Sequence, residues 1–145
     1  MNIYKQLEAD EGVVYKTYMD HLGHMTFGIG HKVTRDDKEY WEPLGTPVTE
    51  KRVREVFAKD LDTAMKDCAA LYGDDFIAWP EEVKEVLVNM MFNLGRTRLR
   101  KFKKMKAALM RKDWKKAAEE GRDSLWAKQV PNRAERLMTR LENVT

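Results

Sequence analysis

Apolar residues recur at helical spacing along most of the chain, and this spacing is interrupted in one stretch. The first run begins after Asn2, which we expect to cap it, and ends at Gly12, which predicts a short helix over residues 3–11. From residue 13 to residue 33 the helical spacing gives way to β-branched and aromatic residues broken by glycines. This pattern predicts a small antiparallel sheet with tight turns.

The rest of the chain predicts helices. Apolar residues three and four apart follow Thr49, a plausible N-cap, and continue to Gly73, so we expect a helix of about six turns over residues 50–72. The segment 86–94 is apolar on almost every face, which is typical of a helix at the centre of a bundle. Further helices are expected from Pro80 to Gly95, along residues 99–110, from Asp113 through Ala118 and from Pro131 toward Leu141.

These elements predict an α+β fold, organised as a single domain over residues 1–145. Within it we expect a β lobe over roughly 13–48, a joining helix over roughly 50–72, and a helical lobe over roughly 73–145 that also includes the N-terminal helix.

The composition indicates a folded protein. Of its 145 residues, 43% are hydrophobic and 35% are charged, which argues against a disordered chain. We expect neither a signal peptide nor a membrane span, because the sequence contains no apolar run of suitable length and context. The single cysteine, Cys68, has no partner for an internal disulfide. Its helical spacing with Leu61, Met65 and Tyr72 predicts a small core residue.

The net charge of +3 conceals an uneven distribution. Residues 1–95 contain 11 Lys/Arg against 18 Asp/Glu, whereas residues 96–145 contain 16 against 6. Between residues 96 and 116 there are eleven basic residues and one acidic residue. This basic region is either a solvated helix face or a surface that contacts an anionic partner, such as the cell envelope. A binding module for nucleic acid or envelope is the alternative function that the charge alone suggests.

Two carboxylates flank the first predicted strand, Glu11 at the end of the first helix and Asp20 at the following turn. Cleavage of a glycosidic bond requires one carboxyl group that protonates the leaving oxygen and a second that activates water or stabilises the sugar cation. Thr26 lies where it could hold a water molecule between them. In a chain with 24 acidic residues the spacing alone does not establish a site.

The sequence around these residues is more specific than the pair. It contains Glu11-Gly12, Asp20-His21-Leu22-Gly23 and Thr26-Phe27-Gly28-Ile29-Gly30-His31. Together with later positions, the chain resembles the phage-type lysozymes, the muramidase endolysins, over essentially its whole length. The later positions are Phe57, Asp60, Asn89-Met90, Phe92, Gly95, Trp114, Ala117-Ala118, Trp126, Gln129 and Pro131-Asn132-Arg133-Ala134.

This resemblance implies a lysozyme-like fold with an active-site cleft between the two lobes. It implies an endo-acting hydrolase that cleaves peptidoglycan between N-acetylmuramic acid and N-acetylglucosamine without a metal or cofactor. Glu11 would be the general acid. Asp20 would act as base toward the attacking water or as an electrostatic stabiliser, and Thr26 would hold that water.

The resemblance also implies supporting residues. His31 is expected to contact Asp60 and stabilise the fold, and Arg133 is expected close to Glu11. Phe92 matches an aromatic position at the family's cleft, although a core residue is equally consistent with its apolar helix. Lys32 stands where the family has an apolar residue, at a position expected to contact substrate.

We also derive expectations about metal binding, partners and localisation. His21 and His24 lack a third ligand at useful spacing, so we expect no metal site. The resemblance implies a monomer that acts on peptidoglycan glycan strands and binds no specific nucleic acid. It further implies residence in the host cytoplasm until a holin opens the inner membrane. A lytic transglycosylase, which forms an anhydro sugar, is the nearest alternative enzyme.

Overall fold

The computed structural model describes residues 2–145, which form two compact units, Asn2–Asp62 and Thr63–Thr145. A small antiparallel sheet lies in the first unit, and the chain is otherwise mostly helical, so the predicted α+β class is confirmed. The division into a β lobe, a joining helix and a helical lobe stays a prediction. Met1, which the predicted single domain includes, lies outside the described residues.

The first unit begins with helix α1, Ile3–Glu11, as the apolar spacing predicts. Ile3 and Leu7 are buried on one face of this helix, and Gly12 ends it with a positive φ of 74°. Asn2 occupies the N-cap position as predicted, but its side chain makes no capping hydrogen bond. Its backbone carbonyl accepts the first hydrogen bond of the helix, from the amide of Gln6.

Three strands follow within the predicted β region. They are β1, Val14–Met19, β2, Met25–Gly28, and β3, His31–Lys32, in the spatial order β1-β2-β3. Both pairings are antiparallel, with Tyr18 opposite Thr26 and Thr26 opposite Lys32. This register places the predicted Thr26 in the central strand, next to both neighbouring strands.

A short 3-10 helix, Lys38–Trp41, and a loop lead to helix α2, Glu50–Tyr72. The 3-10 helix was not predicted. The Thr49 hydroxyl accepts a hydrogen bond from the Arg52 amide at 3.1 Å, so Thr49 is the N-cap that the sequence indicates. Within the first unit α2 buries an apolar stripe composed of Val53, Val56, Phe57 and Leu61.

The second unit contains the end of α2 and seven further helices among the residues that the structure describes. These are α3, Asp74–Ala78; α4, Glu81–Leu94; α5, Arg96–Leu99; α6, Lys103–Met110; α7, Trp114–Arg122; α8, Leu125–Gln129; and α9, Pro131–Glu142. Helices α3 and α8 were not predicted, and the predicted helix over residues 99–110 is shorter in the structure: α6 begins only at Lys103, and Leu99 is the last residue of α5. Asp113 and Pro131 begin helices as predicted, and Asp113 accepts a capping bond from the Lys116 amide.

Helix α4 is buried along residues 86–91, in agreement with its predicted central position. Helix α9 packs against both α4 and α7. A Cβ atom at Gly121 of α7 would lie 2.3 Å from Sδ of Met138 on α9, so glycine permits the close packing of these helices.

Cys68 is fully buried in the second unit, as predicted, and its Sγ lies 3.5 Å from the carbonyl oxygen of Leu87. Burial raises the pKa of the thiol to about 12, which is inconsistent with a nucleophilic thiolate at neutral pH. The predicted helical stripe is partly wrong, because Met65 is 41% exposed. Within residues 2–145, no helix combines the length and the apolar character needed to cross a bilayer.

Candidate active site

Glu11 is the last residue of α1, and its carboxyl group lies against the turn between β2 and β3. A Cβ atom on Gly30 would be 2.7 Å from Glu11 Oε1, which is too close for a carbon atom. Gly30 also has a φ of +66°, a conformation that costs other residues energy. A side chain at position 30 would therefore be strained by the turn and would push the Glu11 carboxyl group aside.

Asp20 lies in the turn that follows β1, and its carboxylate accepts hydrogen bonds from both sides. Oδ1 accepts bonds from the amides of Leu22 and His24 at 2.9 and 2.8 Å. Oδ2 accepts a bond from the ammonium group of Lys32. The Lys32 bond, followed by the backbone bonds, holds the pKa of Asp20 well below its usual range. Asp20 is therefore a carboxylate throughout the physiological pH range.

Thr26 is buried in β2, and its hydroxyl donates to the backbone carbonyl of His24 at 2.9 Å. The Asp20 amide donates to the same carbonyl at 2.9 Å. The backbone of His24 therefore links Asp20 and Thr26, a role that sequence analysis missed. Because the hydroxyl has one proton and donates it here, its lone pairs are left to accept a bond from water.

His31 is 8% exposed and lies between two carboxylates. Its Nδ1 is 2.6 Å from Asp60 Oδ2, so the contact implied by the resemblance is present, and its Nε2 is 2.8 Å from Asp37 Oδ2. Burial lowers the pKa of His31, but the two carboxylates outweigh burial and raise it overall. Asp37 was not predicted, because it lies in a loop whose sequence has no periodic pattern.

Two further residues extend these contacts into a five-residue charge network, Asp60-His31-Asp37-Arg52-Glu39. Arg52 holds Glu39 through two bonds of 2.9 Å and also lies 3.2 Å from Asp37 Oδ1. Glu39 is only 2% exposed, so its charge depends on this guanidinium. The charge network connects β3, the 3-10 helix and α2 within the first unit.

The remaining predicted residues lie in the second unit. Arg133 on α9 is buried, and its Nε donates to Asn89 Oδ1 on α4 at 2.9 Å. Phe92 lies half-buried near the end of α4. The expected proximity of Arg133 to Glu11 and the expected substrate contacts of Phe92 and Lys32 stay predictions.

The first unit therefore contains an acidic side chain at a helix end, an ionised carboxylate fixed in a turn, and a hydroxyl that can accept a bond from water. These are the functional groups that glycoside hydrolysis requires. In the described part of the chain, no three His, Cys, Asp or Glu side chains form a group that could hold a metal ion.

The small antiparallel sheet, the mostly helical remainder and the carboxylates on either side of β1 define a lysozyme-like α+β protein. The family model described as Phage lysozyme matches residues 8–143. The chain belongs to the phage lysozyme family.

Individual relatives agree with this assignment. The chain is 29% identical to "Probable T4-type lysozyme 1" of Dictyostelium discoideum, across 99% of this chain and 95% of that protein. It is 28% identical to "Pre-baseplate central spike protein Gp5" of Enterobacteria phage T4, and 31% identical to "Peptidoglycan hydrolase gp36" of Pseudomonas phage phiKMV. Each of these two matches covers 94% of this chain, which spans only 27% and 14% of the two phage proteins.

Proposed function

We propose that the chain is a peptidoglycan hydrolase that cleaves the β-1,4 bond between N-acetylmuramic acid and N-acetylglucosamine. The observation that carries the proposal is the environment of Asp20, whose carboxylate is fixed and held ionised in the same unit as Glu11. A glycosidase needs two carboxyl groups in different protonation states. The family and the names of the relatives support the same reaction.

In the proposed mechanism Glu11 donates its proton to the glycosidic oxygen as the bond to the anomeric carbon breaks. Asp20 faces the positive charge that develops on the sugar. A carboxylate whose pKa lies well below its usual range is a weak base, so the contacts of Asp20 favour electrostatic stabilisation over proton abstraction. Thr26 accepts a hydrogen bond from the attacking water, which adds to the anomeric carbon and leaves a hydrated reducing end; the proton that this water loses passes to solvent, and Glu11 is reprotonated from solvent before the next turnover.

The variant Glu11→Gln tests the role of the acid. Hydrolysis of purified peptidoglycan should fall by about 10²-fold or more, because general acid catalysis contributes factors of this order. The urea midpoint should stay close to that of the wild type. Glu42→Gln, an exposed residue of the same unit, is the matched control and should retain activity. Activity in purified Glu11→Gln comparable with that of the wild type would contradict the assignment.

The products distinguish hydrolysis from the transglycosylase reaction. Mass spectrometry of the released muropeptides should show hydrated reducing ends, because the proposed reaction consumes water. Anhydro ends from the wild-type protein would establish the transglycosylase instead and would remove the role given to Thr26.

We further propose that this activity lyses the host at phage release, and that the monomeric protein stays in the host cytoplasm until a holin opens the inner membrane. Membership of the phage lysozyme family supports this role. Expression in a Gram-negative host without a holin should leave the culture turbid until the inner membrane is permeabilised with chloroform. Lysis that begins without permeabilisation would contradict holin-dependent release.

The basic region 96–116 is proposed to contact the anionic surface of the bacterial envelope. Its cationic side chains on and between α5 and α6 are largely exposed, including those of Arg100, Lys101, Lys103 and Lys104. Such a surface attracts lipid phosphates over a Debye length of about 8 Å at physiological salt. Apolar side chains of the same region, Leu99, Met105 and Leu109, are buried and leave the charges at the surface.

Vesicle binding tests the proposed envelope contact. Binding to vesicles that contain anionic lipid should fall steeply between about 50 and 500 mM salt, because the Debye length falls to less than half over this range. The triple variant Lys101→Gln, Lys103→Gln, Lys104→Gln should bind more weakly at low salt. Equal binding to neutral vesicles, or preferential binding to duplex DNA in competition, would contradict the envelope contact.

A further inference from the structure

Lys32 and Asp20 form an ion pair in which the two partners are unequally exposed. The Lys32 side chain, in β3, is 55% exposed, whereas the Asp20 side chain that it contacts is 9% exposed. An ion pair whose cation is largely exposed contributes little to stability. The contact is therefore better explained by what it does to the shielded carboxylate than by what it adds to the fold.

The hydrogen bonds of Asp20 leave a single acceptor position open. An ionised carboxylate offers about four lone-pair positions, two on each oxygen. The amides of Leu22 and His24 occupy both positions on Oδ1, and the Lys32 ammonium occupies one on Oδ2. His24 Nδ1, at 3.7 Å from Oδ2, is beyond hydrogen-bond distance.

We propose that Lys32 is a positioning residue, which fixes the rotation of the Asp20 carboxylate and presents the one remaining lone pair of Oδ2 to the substrate. The carboxylate is planar, so its two oxygens rotate together about the Cβ–Cγ bond, and the amide bonds restrain this rotation from the Oδ1 side only. The Lys32 bond restrains it from the Oδ2 side. The proposal rests on the function proposed above, because it assumes that Asp20 acts on the sugar.

The charged groups around Asp20 come from two elements. Lys32 approaches from β3, and His24 belongs to the same turn, with its ring 3.7 Å from Oδ2. His21 follows Asp20 directly and is exposed, and Glu11 lies against Gly30, two residues before Lys32. Of these groups, Lys32 makes the direct side-chain hydrogen bond, so its removal is the change that takes away the restraint on the Oδ2 side of the carboxylate.

Lys32→Met removes the ammonium group and keeps the length of the side chain. Lys32→Arg keeps a cationic donor, and Lys16→Met, an exposed lysine on β1, removes the same charge from the same sheet. The titration of the Asp20 carboxyl carbon, followed by NMR without substrate, should move upward in Lys32→Met toward the ordinary aspartate value of about 3.9. It should stay low in Lys32→Arg and in Lys16→Met.

Kinetics on purified peptidoglycan test the catalytic consequence. In Lys32→Met, kcat should fall by about tenfold or more, since small misplacements of a reacting group have effects of this size. The fall of kcat at acid pH should begin at a higher pH in Lys32→Met than in the wild type. Below the raised pKa of Asp20, kcat should drop by about tenfold per pH unit. Lys32→Arg should recover most of the wild-type rate and profile.

The outcomes separate this proposal from the proposed function. If wild-type protein hydrolyses peptidoglycan and Lys32→Met leaves both the titration and the pH profile unchanged, the positioning role is wrong. A shifted titration with an unchanged kcat and profile also overturns it, since the bond would then be an ion pair without catalytic effect. If wild-type protein does not cleave peptidoglycan at all, the proposed function fails, whatever the NMR titration shows.

Discussion

The carboxyl group of Glu11 lies against the Cα atom of Gly30, with Oε1 2.7 Å from the position that a Cβ atom would occupy. Helix α1 and the turn between β2 and β3 meet at this point. A residue with any side chain at position 30 displaces the carboxyl group that is proposed to act as the acid. The glycine that the turn favours therefore also leaves room for the carboxyl group of Glu11.

Gly30→Ala should reduce activity much more than stability. The positive φ of Gly30 should cost alanine about 1–2 kcal/mol in the free energy of unfolding. Displacement of Glu11 by about 1 Å should lower hydrolysis of peptidoglycan by about 10²-fold. Gly45→Ala is the matched control, because Gly45 has a φ of +92° and a Cβ atom there would have no neighbouring atom within 4 Å. Equal activity losses in the two variants would indicate backbone strain and not the displacement of Glu11.

Arg52 and Arg54 lie on the same helix, α2, and form ion pairs of different burial. They test how burial determines the contribution of an ion pair to the free energy of unfolding. Arg52→Met leaves Glu39 charged and 2% exposed, so the free energy of unfolding should fall by about 3 kcal/mol. Arg54 bonds Glu8 at 2.8 Å, but their side chains are 47% and 30% exposed. Arg54→Met should therefore cost less than about 1 kcal/mol in urea unfolding. Similar losses in both variants would refute the burial argument.

The sequence predicted those parts of the fold that local patterns determine. Thr49 and Asp113 begin helices because their side chains accept bonds from nearby amides, which depends on neighbours in the chain. Asn2 has the same chemistry and the same position at the start of a helix, but its side chain makes no such bond. Local patterns therefore predict where a helix can begin more reliably than how it is capped.

The contacts of the candidate site join residues that no local sequence pattern relates, unlike the helix caps. The resemblance identified Asp20 and His31, but neither periodicity nor spacing indicated that Lys32 would reach Asp20 or that Asp37 would reach His31. These partners meet through the register of the sheet and the course of a loop, which no local pattern encodes. The signals that could have identified them are a charged residue in the edge strand β3, for Lys32, and the cluster of charged residues in the loop that follows it, for Asp37.

The stability contributed by His31 should depend on pH in a defined direction. Because its pKa is raised in the folded state, the stabilisation is fully present below the unfolded value of about 6.5 and is lost as pH rises through the higher folded value. The pKa of Asp37 shifts oppositely, since burial raises it but the Thr34 amide, His31 and Arg52 lower it overall. Its stabilisation is present above about pH 3.9 and is lost below. The His31–Asp37 ion pair should therefore contribute most to the free energy of unfolding between about pH 4 and 6.5.

His31→Asn tests this window by urea unfolding at several pH values. Near pH 5 the variant should be less stable than the wild type by about 1–3 kcal/mol, the range for hydrogen bonds to charged groups. The difference should shrink above the folded pKa of His31. His21→Asn, an exposed histidine of the same unit, should match the wild type at each pH. A difference that is constant from about pH 5 to pH 9 would contradict a role for the protonated ring.

Asn89 should contribute to the stability of the second unit, although it lies in an apolar segment of α4. It is completely buried on α4, and its Oδ1 accepts the bond from Arg133 Nε. Asn89→Leu has a similar volume but removes the acceptor, which leaves part of a buried guanidinium without its bond and should cost about 3 kcal/mol. Met90→Leu, at the neighbouring buried position, conserves both volume and polarity and should cost less than about 1.5 kcal/mol. If urea unfolding shows Asn89→Leu to be as stable as Met90→Leu, the apolar packing of α4 outweighs the Arg133 bond, and Arg133 needs no polar partner on this helix.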